Sequence, residues 1–107
     1  MKRGEIWTVS ASGYAGKPRP TVIVQDDRFD ATESVTICSL TTDETDAPLF
    51  RLIVEPSQRN GLESVSRLMV DKLTTVSRGK LGRKIGQLDD ETMVRLNRAM
   101  MVFLGLA

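Results

Sequence analysis

Thr21-Val22-Ile23-Val24 is β-branched at every position. Such a run is most comfortable as an extended strand covered on both faces. The chain around it must therefore fold into a sheet that is packed on two sides. The residues before the run restrict it further. In Gly16-Lys17-Pro18-Arg19-Pro20 two prolines bracket one arginine. Each proline fixes its own φ, and Pro20 pushes Arg19 toward extended backbone. Pro20 has no N–H to give to a ladder, so it belongs at the start of the strand. Arg19 is thus held at a strand mouth on a restricted backbone. A planar guanidinium there suits a phosphate, which it can grip through two N–H groups. On these residues alone, solvation of a strand end is the alternative.

The same signals place five more elements. Glu5 to Ser10 reads as a first strand and Arg19 to Gln25 as the second. Ser34 to Leu40 is the third, Leu49 to Glu55 the fourth, and Ser64 to Val70 and Leu73 to Ser77 two further short strands. Gly79, Gly82 and Gly86 punctuate what reads as a basic loop. Asp89 is a helix N-cap, with Asp90 and Glu91 in the first turn where the helix dipole favours acids. Met93, Leu96, Met100 and Phe103 recur at helical spacing up to about Leu104. From Ala99 to Leu104 that helix is apolar almost all round, which calls for cover from a second subunit. Five or six short strands and one closing helix predict a mainly β domain with a C-terminal α-helix, a small barrel.

At 107 residues the chain makes one domain, 1–107. No run of about 18 apolar residues exists to span a membrane, and the N-terminus lacks the apolar core of a signal peptide, which together predict a cytoplasmic protein. The chain has no histidine and one cysteine. Imidazole-dependent mechanisms, Ser-His-Asp hydrolysis among them, are excluded, and neither a metal nor a cofactor is expected. Cys38 sits in an apolar run and reads as a small buried hydrophobe. Net charge is only +1, yet the charges are segregated. Arg67 to Lys84 is basic and Asp26 to Asp46 is acidic. A local field of one sign is the footprint of a polyanion site, or simply of a solvated loop.

Met1-Lys2-Arg3-Gly4-Glu5-Ile6-Trp7, then Gly16-Lys17-Pro18-Arg19-Pro20 with its apolar strand, Ser39-Leu40-Thr41-Thr42, Ser66 to Asp71 and Gln87-Leu88-Asp89 occur in one order along the chain. In that order they resemble the MazF/PemK family, toxins of bacterial toxin–antitoxin pairs. The resemblance implies an SH3-like barrel of the MazF/CcdB/Kid type that forms a homodimer. It implies a metal-independent, sequence-specific endoribonuclease cutting single-stranded RNA (messenger, ribosomal or transfer) to a 2′,3′-cyclic phosphate and a 5′-hydroxyl. It also implies an antitoxin whose disordered segment covers the RNA site.

Carried over residue by residue, the family's arginine falls on Arg19 and its threonine on Thr41, with Thr42 adjacent. An acid that some relatives use falls on Asp71. One relative has an arginine two residues before that acid, where this chain has Met69, and the histidine some relatives carry in the first loop is absent. The implied catalytic set is Arg19, Thr41 and Asp71. Arg19 and Thr41 would stabilise charge on the phosphoryl oxygens. For the 2′-OH proton the family gives the arginine an acid or base role, Asp71 is a second candidate, and catalysis by positioning and electrostatics alone is the third. Tyr14, for base stacking, and Lys17, Thr42, Lys72, Arg78 and Lys80 are the candidate RNA contacts. The acidic segments flanking the third strand are expected off the RNA track. The alternatives are a CcdB-like gyrase inhibitor and a non-catalytic SH3-like binding module. The first expects a tryptophan-glycine-isoleucine ending where this chain has Phe103-Leu104-Gly105-Leu106-Ala107. The second expects an aromatic groove that five aromatic residues can hardly build.

Overall fold

Thr21, Val22 and Ile23 of the β-branched run lie in a strand, with Val24 just past its end, and that strand has neighbours on both edges and apolar clusters on both faces. A computed structural model describes residues 1–10 and 17–107. Its strands are β1 (Glu5–Val9), β2 (Arg19–Ile23), β3 (Ser34–Thr41), β4 (Arg51–Val54), β5 (Ser66–Met69), β6 (Thr74–Ser77) and β7 (Leu81–Gln87), followed by helix α1 (Asp90–Phe103). Every ladder is antiparallel, and the strand order is β4-β5-β3-β2-β1-β7. The long strand β3 is shared along one edge. Its start, Ser34–Ile37, pairs with β6, and its end, Leu40–Thr41, pairs with β5.

Side-chain alternation then sorts the core. Ile6, Val22, Cys38, Leu40, Leu68 and Leu52 face one way and pack with Leu96 and Ala99 of α1. Val9, Ile23, Val35, Ile37 and Leu81 face the other and pack with Trp7 and Val76. A two-faced core of this kind is what a β-branched central strand requires. Helix α1 starts where expected, the Asp89 carboxylate accepting from the Thr92 N–H at 2.7 Å. Burial pushes the Cys38 thiol up to about 12, with the Asp71 charge adding to it, so Cys38 is an inert part of the core.

The sequence reading missed one strand. Leu81–Gln87, read as a basic loop, is a seven-residue strand on β1. Its glycines serve close approach instead of a turn. A Cβ at Gly82 would sit 2.5 Å from the Thr8 hydroxyl, and one at Gly86 would sit 2.4 Å from the Asn60 backbone. The β1–β7 register also shifts twice, between Ile6 and Trp7 and again between Trp7 and Val9. Glycine within a strand marks just such crowding and irregularity.

Candidate functional site

Arg19 opens β2 two residues before the first fully buried position, Thr21. Pro20 behind it takes a half-buried place in the strand. Across the ladder Thr21 faces Ser39. Carried two residues further, that register sets Arg19 against Thr41, the last residue of β3. Thr41 in turn faces Arg67 of β5, and Arg67 faces Ile53 of β4. On its other side Arg19 faces Val9, which faces Leu81. Leu81, Val9, Arg19, Thr41, Arg67 and Ile53 therefore form one row on one face of the sheet. Neighbouring strands lie about 4.8 Å apart, so Arg67 stands about 10 Å from Arg19 with Thr41 between.

The row changes character along its length. Leu81 and Val9 are buried, whereas Arg19 is exposed and Thr41 and Arg67 are half-buried. The Thr41 Oγ1 accepts from the Asp43 N–H at 3.1 Å, an arrangement that leaves its O–H as a donor. Beneath Arg19, the hydroxyl of fully buried Thr21 has no hydrogen-bond partner among the described residues.

The other expected site residues divide between this end of the sheet and places away from it. Lys17 is exposed two residues before Arg19, and Thr42 is exposed beside Thr41. Lys80 belongs to the same end, since its carbonyl accepts from the Ser10 N–H at 3.0 Å, next to the Leu81–Val9 pair. Tyr14 lies outside the described residues. Arg78 lies beside Ser77, which faces Ser34, at the opposite end of β3. That is roughly 20 Å from Thr41 at about 3.3 Å per residue. Its guanidinium is engaged there by the carbonyls of Thr32 and Phe29 and by the Thr32 hydroxyl. Lys72 is exposed beside Asp71.

Asp71 is held by a residue the sequence reading did not single out. Arg51 grips its carboxylate through Nε at 2.7 Å and Nη2 at 3.0 Å. Arg51 opens β4 and faces Met69, so the arginine missing at position 69 is supplied from the neighbouring strand. Only 9% of the Arg51 side chain is exposed, against 22% for Asp71. The Arg51 hydrogen bonds hold the Asp71 carboxyl below the usual carboxylate range, and the same pairing raises Arg51. A carboxylate so held is a weak proton acceptor. The acidic connection after β3 also lies closer than expected. The Asp43 carbonyl meets Arg67 Nη1 at 3.5 Å, and Asp46 lines a cavity with Arg51 and Arg67. Only the three-dimensional path of the chain could place these acids among arginines.

The fold is thus a small antiparallel β-domain with one closing helix, with Arg19 exposed at the start of β2 and Thr41 half-buried at the end of the neighbouring β3. The family model described as "PemK-like, MazF-like toxin of type II toxin-antitoxin system" matches residues 2–104, and the chain belongs to that family. It is 56% identical over 108 residues to a protein of Mycolicibacterium smegmatis named probable endoribonuclease MazF, covering all of this chain and 99% of that one. It is 28% identical to endoribonuclease EndoA of Bacillus subtilis, covering 99% of this chain and 96% of that one. Among solved structures, an endoribonuclease bound to its cognate antitoxin from a mycobacterial species superposes with a TM-score of 0.83 at 26% identity, covering all of this chain and 97% of that one. Among the described residues no helix is long and apolar enough to cross a membrane.

Proposed function

We propose that this chain is the toxin of a type II toxin–antitoxin pair and acts as a sequence-specific endoribonuclease on single-stranded RNA, without a metal, leaving a 2′,3′-cyclic phosphate and a 5′-hydroxyl. The observation that supports the reading is the β2–β3 register, Thr21 opposite Ser39, which carried two residues further brings Arg19 level with Thr41. Attack of the 2′-oxygen forms the P–O2′ bond as the P–O5′ bond breaks. The 2′-OH proton passes to solvent water and the leaving 5′-oxygen takes a proton from it, while extra negative charge builds on the phosphoryl oxygens. Arg19 meets that charge with its N–H fork and Thr41 with its O–H. One well-placed donor of this kind contributes roughly a hundred- to thousandfold in rate. Asp71 acts by positioning Arg51, because its carboxylate is already engaged on both oxygens. Lys17, Thr42 and Lys80 contact the flanking strand, and Lys72 is a more distant phosphate contact.

A cognate antitoxin blocks this end of the sheet with a segment that is disordered when free. A second copy of the chain covers the helix end, where Met101, Val102, Phe103 and Leu106 are all exposed. Phe103→Glu should therefore lower the mass seen by light scattering toward that of one chain. A Phe103→Glu protein that stays folded and dimeric at low concentration removes the helix end from the interface.

The central test is to incubate the protein in EDTA with a long single-stranded RNA, beside Arg19→Ala, and to map 5′-hydroxyl ends. Discrete cuts that fall at least about a hundredfold in the variant support the assignment. A folded wild type that cuts none of several RNAs sinks it, and supercoiling by DNA gyrase would then be assayed.

A further inference from the structure

At the edge of the sheet, where β4 meets α1, three arginines from three elements line one cavity of about 110 Å³. Arg51 comes from β4, Arg67 from β5 and Arg95 from α1, with Asp46 and Ile53 also in the lining. We propose that this cavity is a second anion site, in which Arg67 and Arg95, backed by Arg51, hold one backbone phosphate of the RNA next to the reacting one. The proposal rests on the nuclease reading given above.

Like charges converging in one cavity repel unless something neutralises them. Two carboxylates do part of this. Asp71 is bound to Arg51 on both oxygens, and Asp46 offsets one further charge. Asp43 lies at the rim as well, so what the cavity offers an anion is guanidinium N–H donors that the carboxylates do not take up. The donors are also at hand. Arg67 bonds the Asp43 carbonyl at 3.5 Å, the outer limit for a hydrogen bond and easily exchanged for a charged acceptor. The Arg95 side chain makes no hydrogen bond or salt bridge among the described residues, its charge acting only at longer range on Asp89. Ile53, directly across from Arg67 and 45% exposed, offers apolar surface to a ribose or base.

Position decides between RNA and an acidic peptide. Arg67 is the next residue after Thr41 in the cross-strand row, about 10 Å from Arg19, a distance bridged by about one or two nucleotides. Asp46 in the lining and Asp43 at the rim disfavour a peptide rich in carboxylates, whereas a strand with one charge per phosphate fills the site once.

The test is to measure, by fluorescence anisotropy over a range of salt, the binding of a 2′-O-methyl oligonucleotide whose sequence spans a mapped cut. The proteins are wild type, Arg67→Ala, Arg95→Ala and Arg67→Lys, each first shown by thermal melting to be folded. Arg67→Lys and Arg95→Ala still decide the matter if Arg67→Ala fails to fold. Each alanine variant should bind roughly five- to tenfold more weakly, with a log–log salt slope shallower by about 0.7 for each phosphate no longer neutralised. Cut positions on long RNA should stay the same, and Arg67→Lys should recover most of the affinity. If wild type binds and cuts while Arg67→Ala and Arg95→Ala keep its affinity and slope, the second site is overturned. It is overturned equally if Arg67→Ala keeps its RNA affinity but loses binding to polyglutamate. A wild type that neither binds nor cuts RNA defeats the nuclease reading and this site together. An Arg19→Ala protein that cuts like wild type defeats the catalytic assignment alone.

Discussion

The two ends of β3 use the same chemistry for opposite purposes. At the Ser34 end, β6 completes the edge, and Arg78 turns inward onto the Thr32 and Phe29 carbonyls, tying the connection between β2 and β3 to the end of β6. At the Thr41 end, β5 takes over the edge, and Arg19, Thr41 and Arg67 stand in a row that leads from buried Val9 to solvent. At the Ser34 end the Arg78 donors are taken up by two backbone carbonyls and a hydroxyl. At the Thr41 end Arg67 keeps one long contact, 3.5 Å to the Asp43 carbonyl, beside the half-buried Thr41. Charge in the sequence does not separate the two, because the distinction lies in how fully the fold engages each group's donors.

The sharpest challenge to this division is Arg51, which belongs to the Thr41 end by position and to the scaffold by its bonds. Arg51→Ala leaves the Asp71 carboxylate largely buried and unpaired, and should cost about 3 kcal/mol in chemical denaturation. If the variant unfolds like wild type yet no longer cuts RNA, the Arg51–Asp71 pair belongs to the chemistry.

Arg78→Ala comes next. Removing its hydrogen bonds to the two carbonyls should cost about 1–2 kcal/mol and leave RNA cutting untouched. Weaker RNA binding without a stability change would turn the Ser34 end into an RNA surface and erase the contrast.

Glu5 tests the scaffold from a third side. Burial by itself raises its carboxyl, but the Lys2 N–H, the Trp7 indole N–H and the Lys84 ammonium outweigh this and hold it at about 2, against an ordinary 4.5. A carboxyl lowered on folding stabilises the fold above its unfolded value and loses that contribution as pH falls toward 2. Glu5→Gln should therefore cost about 1 kcal/mol at neutral pH and almost nothing near pH 2, seen as a flatter acid limb in thermal melts. An equal cost at both pH values would show that shape, and not charge, matters there.

The smallest effect is expected at Thr21. Replacing an unpartnered buried hydroxyl with a methyl of similar shape should leave stability unchanged or raise it by up to about 1 kcal/mol in Thr21→Val, with cutting unchanged. A fall in cutting rate would extend the Thr41 end one layer down into the sheet.

The sequence alone determined what local sterics and periodicity can specify. A β-branched run behind Pro20 must be a strand with both faces covered, and Asp89 followed by apolar residues at helical spacing must start a helix, because those preferences belong to the residues themselves. Arg19 stood out locally because two prolines bracket it at a strand mouth, whereas Thr41 was reached only through the family resemblance. Only tertiary structure decided the rest. β7 was hidden because its glycines answer to the Thr8 hydroxyl and the Asn60 backbone, which approach from elsewhere in the chain. Arg51 was hidden because its meaning is Asp71, twenty residues on, and Met69, its partner across the ladder. The roles of Arg67 and Arg78 parted for the same reason. A charge is assigned by its nearest acceptors, and those are set by strand register, a long-range property that no local stretch of this sequence contains.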